Sequence, residues 1–268
     1  MARPATILCY HAIGECPHRE RPHTCACIST EAFAKQMSFL AKWRQVVSLE
    51  DAVEGRSSGR RPAVAITFDD AYRNILTNAV PILQQYGFVA TIFVPTKWIG
   101  QDNFWDADTD CFPLEIADED ELQKAALHGI AIESHGHAHI DLAKADSLVV
   151  AEDLKASVDR LREILGRPPR YLAYPYGYQS PATWAVAAEA GFSHAFLVDE
   201  LDAGKLARER LSVDGREGLV RFRLKTAGGY LDRRHSHIGS AAASITQLAF
   251  PKAHVPVTWS GSCGQEDA

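Results

Sequence analysis

Short apolar runs that stop at polar residues alternate with longer amphipathic stretches along most of this chain. Ala5 to Tyr10 reads as a buried strand ending at His11. Ser29 is placed to cap a helix from Thr30 to about Trp43, because Phe33, Met37 and Leu40 share one helical face. Val46 to Leu49 reads as a short strand, and Glu50 to Glu54 as a helical turn. Ala63 to Phe68 is a strand that breaks off at Asp69-Asp70. Ile75 to Tyr86 is helical, with Gly87 suited to its C-cap. Val89 to Val94 is the next strand, stopped by Pro95, and Trp98 to Ala117 has no clear period and reads as a long loop. Asp118 to His128 is a helix closed by Gly129. Ile130 to Glu133 is a strand that delivers Ser134-His135-Gly136-His137-Ala138-His139. A long amphipathic helix spans Asp146 to Leu165. Leu172 to Tyr174 is a strand running into Pro175-Tyr176-Gly177, Pro181 to Ala190 a helix, and His194 to Val198 a strand. Val220 to Lys225 fits either strand or helix. Strand, helix, strand at these intervals gives βαβ units and a parallel sheet. His11, Asp69, Asp70, His135, His139 and Tyr176 all fall at strand C-terminal ends, the pattern of a barrel whose mouth carries the site. Residues 1–238 read as one domain and 239–268 as a flexible tail.

Composition narrows the function classes. The chain has 268 residues, 46% of them hydrophobic, so it can bury a sizeable core, and its formal charge is −6. Basic residues do not cluster as a nucleic-acid footprint requires; Arg56 to Arg61 is short and loop-like. No apolar run approaches the roughly 20 residues of a membrane-spanning helix. Met1 to Thr6 lacks the long apolar stretch of a secretory signal, so a cytoplasmic location is expected. Of six cysteines, Cys9, Cys16, Cys25 and Cys27 lie near the start, among His11, His18 and His23. Their spacing fits no regular zinc motif, and they read as reduced thiols in a loop.

The chemistry is carried by Asp69-Asp70 and the histidine cluster. Two adjacent carboxylates at one strand end repel each other and resist burial, so they call for a cation or a proton. His135 and His139, four residues apart, can turn both rings to one side. With one aspartate they make a two-histidine, one-carboxylate set for a divalent metal, with room for a water. The other aspartate is then placed to act as general base. His137, two residues from each, is expected to point away from them.

Three ordered motifs resemble those of the polysaccharide deacetylases, carbohydrate esterase family 4 with the NodB-homology domain. Thr67-Phe68-Asp69-Asp70-Ala71-Tyr72 resembles the TFDDG motif. Ser134 to Leu142 is similar to H-[S/T]-x-x-H-x-D-L, and Tyr174-Pro175-Tyr176-Gly177 to R-x-P-Y. Tyr10-His11-Ala12-Ile13 resembles the YHxV segment of one branch. The resemblance implies a distorted (β/α)7 barrel of the α/β class and a hydrolase that removes N-acetyl groups from an amino-sugar glycan, oligosaccharide or glycan precursor. It implies Asp69 as base, and Asp70, His135 and His139 as ligands of zinc or another divalent ion such as cobalt, nickel or manganese. The Tyr176 backbone N–H would serve the oxyanion, and His11 is assigned the general acid. Trp98, Trp105 and Tyr174 are candidates for substrate contact; Trp98, Phe104 and Trp105 are rings that either stack on sugars or pack their own loop down.

The chain departs from the family pattern at several points. Gly136 replaces the usual Ser or Thr, which removes a loop-fixing hydrogen bond. Ala173 stands where an arginine would orient the base; Arg73 and Arg170 are the available substitutes. No Leu-x-His motif follows residue 200, and His235 and His237 have the wrong surroundings. His194 opens a strand and belongs at the opposite barrel end. These departures leave two other readings open: a hydrolase of cyclic amides, as in the allantoinase-like branch, and a glycan-binding module with impaired catalysis.

Overall fold

The computed structural model describes residues 4–15, 27–57, 59–106, 113–199 and 204–230. The chain runs β1 (Thr6–Tyr10), β2 (Ala12–Ile13), β3 (Cys27–Ile28), α1 (Thr30–Trp43), β4 (Gln45–Val46), α2 (Leu49–Val53) and β5 (Ala63–Phe68). It continues through α3 (Val80–Gln85), β6 (Ala90–Val94), α4 (Glu119–Leu127), β7 (Ile130–Ser134) and α5 (Ser147–Leu165). It closes with β8 (Tyr171–Ala173), α6 (Pro181–Glu189), β9 (His194–Val198), β10 (Arg208–Ser212) and α7 (Leu219–Lys225). Seven strands form a closed parallel barrel in the order β1-β10-β9-β8-β7-β6-β5, and β5 pairs back onto β1 from Thr6 opposite Val64 to Tyr10 opposite Phe68. The expected (β/α)7 barrel is therefore the observed fold.

Every residue of β1, β5 and β6 is buried, as strands covered on both faces must be. Alternate residues fall into two separate cores, following the two-residue period of a strand. Leu8, Tyr10, Val64, Ile66, Phe68 and Ile92 pack outward under the helices, with Phe33, Met37 and Leu40 of α1. Ile7, Ala65, Phe93, Ala173 and Phe196 fill the lumen, where the rings of Phe93 and Phe196 lie 5.8 Å apart. Leu49 and Ala52 of α2 join Ala5, Ala63 and Tyr171 in that core, closing the N-terminal end.

The structure corrects the strand assignment. The expected strand Val46 to Leu49 shrinks to β4, which pairs only with the start of β5 (Gln45 opposite Ala63) and lies outside the ring. Leu49 instead opens α2, where Ser48 caps the N–H of Asp51 at 3.0 Å. The seventh ring strand is β10, which the apolar pattern did not mark. Val220 to Lys225 resolves as helix, within α7. Ile75 to Tyr86 begins as a π-helical turn, Ile75–Ala79, before α3. The tail from 239, together with Cys16, Cys25, Cys111, Cys263, His18, His23, His235 and His237, lies outside the described residues. Among the described residues no helix is long and apolar enough to cross a membrane.

Candidate active site

The β1–β5 ladder runs on into the site. Thr67 Oγ1 donates to Leu8 O at 2.7 Å and the Asp69 N–H donates to Tyr10 O at 2.9 Å. The chain then turns sharply, with Asp70 and Ala71 at φ 67° and 53°. That turn sends the neighbouring carboxylates to different partners, which removes the repulsion expected of the pair. Both are buried.

Asp69 meets Arg210 of β10. The guanidinium fork donates from Nη1 to Oδ1 and from Nη2 to Oδ2, both at 2.7 Å. Arg210 has no exposed surface. It also donates to Thr67 Oγ1 at 3.1 Å and to Leu197 O at 3.4 Å, and lies 5.1 Å over the Phe93 ring. Burial by itself would raise the Asp69 carboxyl, but the Arg210 charge prevails and holds it at about 2. Arg210 thus takes the place of the arginine missing at Ala173. The expected substitutes serve elsewhere: Arg73 pairs with Glu115 and Glu121, and Arg170 with Glu50.

Asp70 faces His135 and His139. Its Oδ1 lies 3.5 Å from His135 Nε2 and 3.2 Å from His139 Nε2. His135 follows β7, and its Nδ1 is 2.8 Å from Ala173 O. A carbonyl only accepts, so Nδ1 carries the hydrogen and Nε2 is the ring nitrogen turned to Asp70. Burial opposes a charge on His135, but the Asp69 and Asp70 carboxylates beside it prevail and push the imidazole upward. Ala173 therefore contributes its backbone where the family motif has an arginine side chain. Burial, which the Asp70 carboxylate only partly opposes, leaves the His139 imidazole below its ordinary value and so neutral, as a metal ligand must be. Asp70 Oδ1 and His139 Nδ1 are buried without a hydrogen-bond partner among the described residues. A buried carboxylate oxygen facing two imidazole nitrogens calls for a cation or a proton between them. The three ligand atoms lie within 4.8 Å of one another, and a carboxylate with two imidazoles suits zinc and its first-row neighbours. The residues fit a divalent ion.

The histidine loop is held from outside. Asp153 of α5 accepts the N–H groups of His137 and Ala138, both at 2.8 Å. Ser134 Oγ accepts the Gly136 N–H at 3.1 Å and bonds Ser157 at 2.7 Å. Trp98 Nε1 donates to Ala138 O at 3.1 Å. His137 turns from the ligands to Thr96 Oγ1, 2.9 Å away, as expected. The hydrogen bond expected to be lost at Gly136 is replaced by these contacts. Gly136 sits at φ +73°, and a Cβ there would lie 2.8 Å from Asp153 Oδ2. Gly136→Ala is expected to lower stability by roughly 2–4 kcal/mol, from left-handed backbone strain plus a displaced charged hydrogen bond. Urea denaturation measures it, and wild-type stability would refute it.

The remaining candidates divide. The His11 ring, Cys9 Sγ and the Asp69 carboxylate gather within 4.8 Å, so His11 does reach the site. Tyr176, at φ 60°, sets its ring 4.7 Å from that of His139. Trp105 stacks on His139 from another side, 4.2 Å between centroids and 25° between planes. Trp98 and Trp105 therefore pack, and they do so on the histidine loop as well as on their own. Tyr174 is a correction: its side chain is fully buried with Leu142, Val150 and Leu172, and its hydroxyl donates to Leu206 O at 2.9 Å, so it offers nothing to a substrate. His194 opens β9, at the barrel's far end. Among the described residues, four of the five non-glycine residues with positive φ lie in or beside the ligand set: Asp70, Ala71, His139 and Tyr176. Strain of that kind persists where function requires a fixed geometry.

A closed parallel barrel of seven strands, with a two-histidine, one-carboxylate set and an arginine-held aspartate at its C-terminal mouth, defines the class. The chain belongs to the polysaccharide deacetylase family, whose model matches residues 56–195. It is 27% identical over 185 residues to the poly-β-1,6-N-acetyl-D-glucosamine N-deacetylase of Staphylococcus aureus, an alignment covering 65% of this chain and 61% of that protein. It thus spans about six-tenths of that relative's length. The Staphylococcus epidermidis protein of the same name is 27% identical over 211 residues, with coverage of 72% and 71%. The fold matches that of the Streptococcus pyogenes deacetylase PplD, solved in complex with acetate, with a TM-score of 0.70, 21% identity, and coverage of 83% of this chain and 97% of that one. IcaB from Ammonifex degensii gives 0.69 at 22% identity, covering 84% and 97%.

Proposed function

We propose that this chain is a divalent-metal-dependent hydrolase that removes N-acetyl groups from an amino-sugar glycan, oligosaccharide or glycan precursor, with zinc as the favoured ion and cobalt, nickel or manganese as alternatives. The observation that carries the reading is the division of labour between two adjacent aspartates, one locked to Arg210 and one facing two imidazoles. The names of the staphylococcal relatives support the substrate class.

Asp70, His135 and His139 would hold a divalent ion, which would supply Lewis-acid polarisation of the amide carbonyl and a lowered pKa for water. Asp69 accepts the proton of the attacking water, and Arg210 fixes the orientation of its two oxygens. The Tyr176 backbone N–H faces the developing oxyanion, in the strained turn beside His139. His11 donates a proton to the leaving nitrogen, so that amide and water become amine and acetate. The exposed rings of Phe104, Tyr176 and Tyr178 border the ligand loop and suit the faces of a sugar. Arg210 weighs against an impaired binding module, since it supplies what Ala173 lacks. The retained ligand set weighs against the cyclic-amide reading.

Acetate release from N-acetylated glucosamine oligomers tests the proposal. Asp69→Asn is expected to lower turnover at least about 100-fold, the scale of a lost general base, with bound metal at the wild-type level. Equal turnover in the two proteins would overturn the mechanism.

A further inference from the structure

Next to the Asp70 set lies a second convergence of donors, different in kind. The Cys9 thiol, a ring nitrogen of His11 and a carboxylate oxygen of Asp69 lie within 4.8 Å of one another. Cys9 and His11 are two residues apart at the end of β1, and so share a face. The β1–β5 register, carried one residue past Tyr10 opposite Phe68, sets His11 beside Asp69. Cys9 is fully buried and its Sγ is 3.4 Å from Asp69 Oδ2; its contact with Tyr10 O is longer, at 3.9 Å. His11 is half-buried, which leaves an approach from the mouth.

Sulfur, imidazole and carboxylate together select thiophilic, borderline-soft ions, whereas the Asp70 set contains no sulfur. Each carboxylate oxygen has two lone pairs, so Asp69 can keep the Arg210 fork and still offer one. We propose that Cys9, His11 and Asp69 form a second cation site, selective for thiophilic divalent ions such as zinc and cadmium, and that filling it stops the reaction. On binding, the thiol proton leaves to solvent and the sulfur bonds the ion. The ion also takes the free lone pair of Asp69 and the ring nitrogen of His11, the two groups assigned to proton transfer. The positive charge of Arg210 behind Asp69 weakens the site, so it fills only when the ion is in excess. Binding stands on the geometry alone; the inhibition rests on the deacetylase reading.

Cobalt is the probe for binding. Titrated into the metal-free full chain, the first equivalent is expected to fill the sulfur-free Asp70 set without a thiolate-to-cobalt band. A further equivalent is expected to bring that near-ultraviolet band in. Cys9→Ser is expected to lose the band and the second equivalent while keeping the first. His11→Ala, at a half-buried position, is expected to weaken only the second. No band in wild type at excess cobalt, or an unchanged band in Cys9→Ser, overturns the site. For inhibition, acetate release in excess zinc is divided by release at one equivalent within each protein. The ratio is expected to fall in wild type and hold in Cys9→Ser; an equal fall in both overturns the inhibitory role. The cobalt titration decides the site even where no acetate is released, an outcome that would count against the deacetylase reading alone.

Discussion

Arg210→Met is expected to disable the protein twice, in stability and in turnover, while leaving Asp70, His135 and His139 in place. Removing one partner of a buried ion pair leaves the other charge uncompensated, at a cost of about 3–5 kcal/mol, which lowers Tm by on the order of 10 °C in a domain of this size. The turnover loss has a separate origin. Asp69 ionises at about 2 in the folded chain against an ordinary 3.8, because Arg210 overcomes its burial. The depressed value contributes roughly 2 kcal/mol of stability above pH 4, lost as the pH falls from 4 toward 2. Without the guanidinium the largest opposing charge is gone, and burial, which raises a carboxyl, is countered only by His135 and His11. The Asp69 carboxyl then moves up from its depressed value, and its protonated fraction can no longer accept a proton from water. The stability of Arg210→Met should therefore lose the rise that the wild type shows as pH climbs from 2 to 4. The double variant Arg210→Met, Asp69→Asn should recover stability without recovering turnover. Denaturation at a series of pH values, beside acetate assays, distinguishes this from general damage. A variant that keeps wild-type turnover would remove Arg210 from the mechanism.

Stripping the metal, or replacing Asp70 with alanine, should reduce turnover to background; a divalent ion restores the stripped protein and does not restore Asp70→Ala. The reason is arithmetic on Asp69. A carboxylate held at about 2 faces a gap of about 14 pK units to ordinary water, or about 19 kcal/mol. That exceeds the entire barrier of about 16 kcal/mol for turnover at about 10 per second. Water whose pKa a divalent ion has brought to about 7 leaves a gap of about 7 kcal/mol, which a reaction on that timescale can accommodate. In the proposed mechanism Arg210 keeps the base ionised but weak, so base and ion would depend on each other. Thermal denaturation should also show the stripped protein melting lower, since an ion that binds only the folded state stabilises it by mass action. Full activity after exhaustive chelation, with metal analysis showing none bound, would overturn the metal-dependent reading.

Chain order alone determined the elements whose chemistry is local. The strands ending at His11, Asp69 and His135 are apolar runs with an abrupt polar stop, and burial of both faces leaves that pattern legible. The caps at Ser29 and Asp118 follow from side-chain oxygens beside helix starts, and Ser29 Oγ does accept the Ala32 N–H. Asp70, His135 and His139 were legible as a ligand set because two strand ends of one parallel barrel must share a mouth. Tertiary structure decided the partner of Asp69. Arg208-Glu209-Arg210-Leu211-Ser212 carries too much charge to read as a barrel strand. It becomes one because Arg210 turns into the lumen, where a carboxylate 141 residues earlier neutralises it. The same holds for Gly136, whose place depends on Asp153 arriving from α5, and for Tyr174, whose burial depends on the helices packed over β8. A residue's pattern along the chain reports the face it presents, but the identity of what meets that face is fixed only when distant strands close the ring.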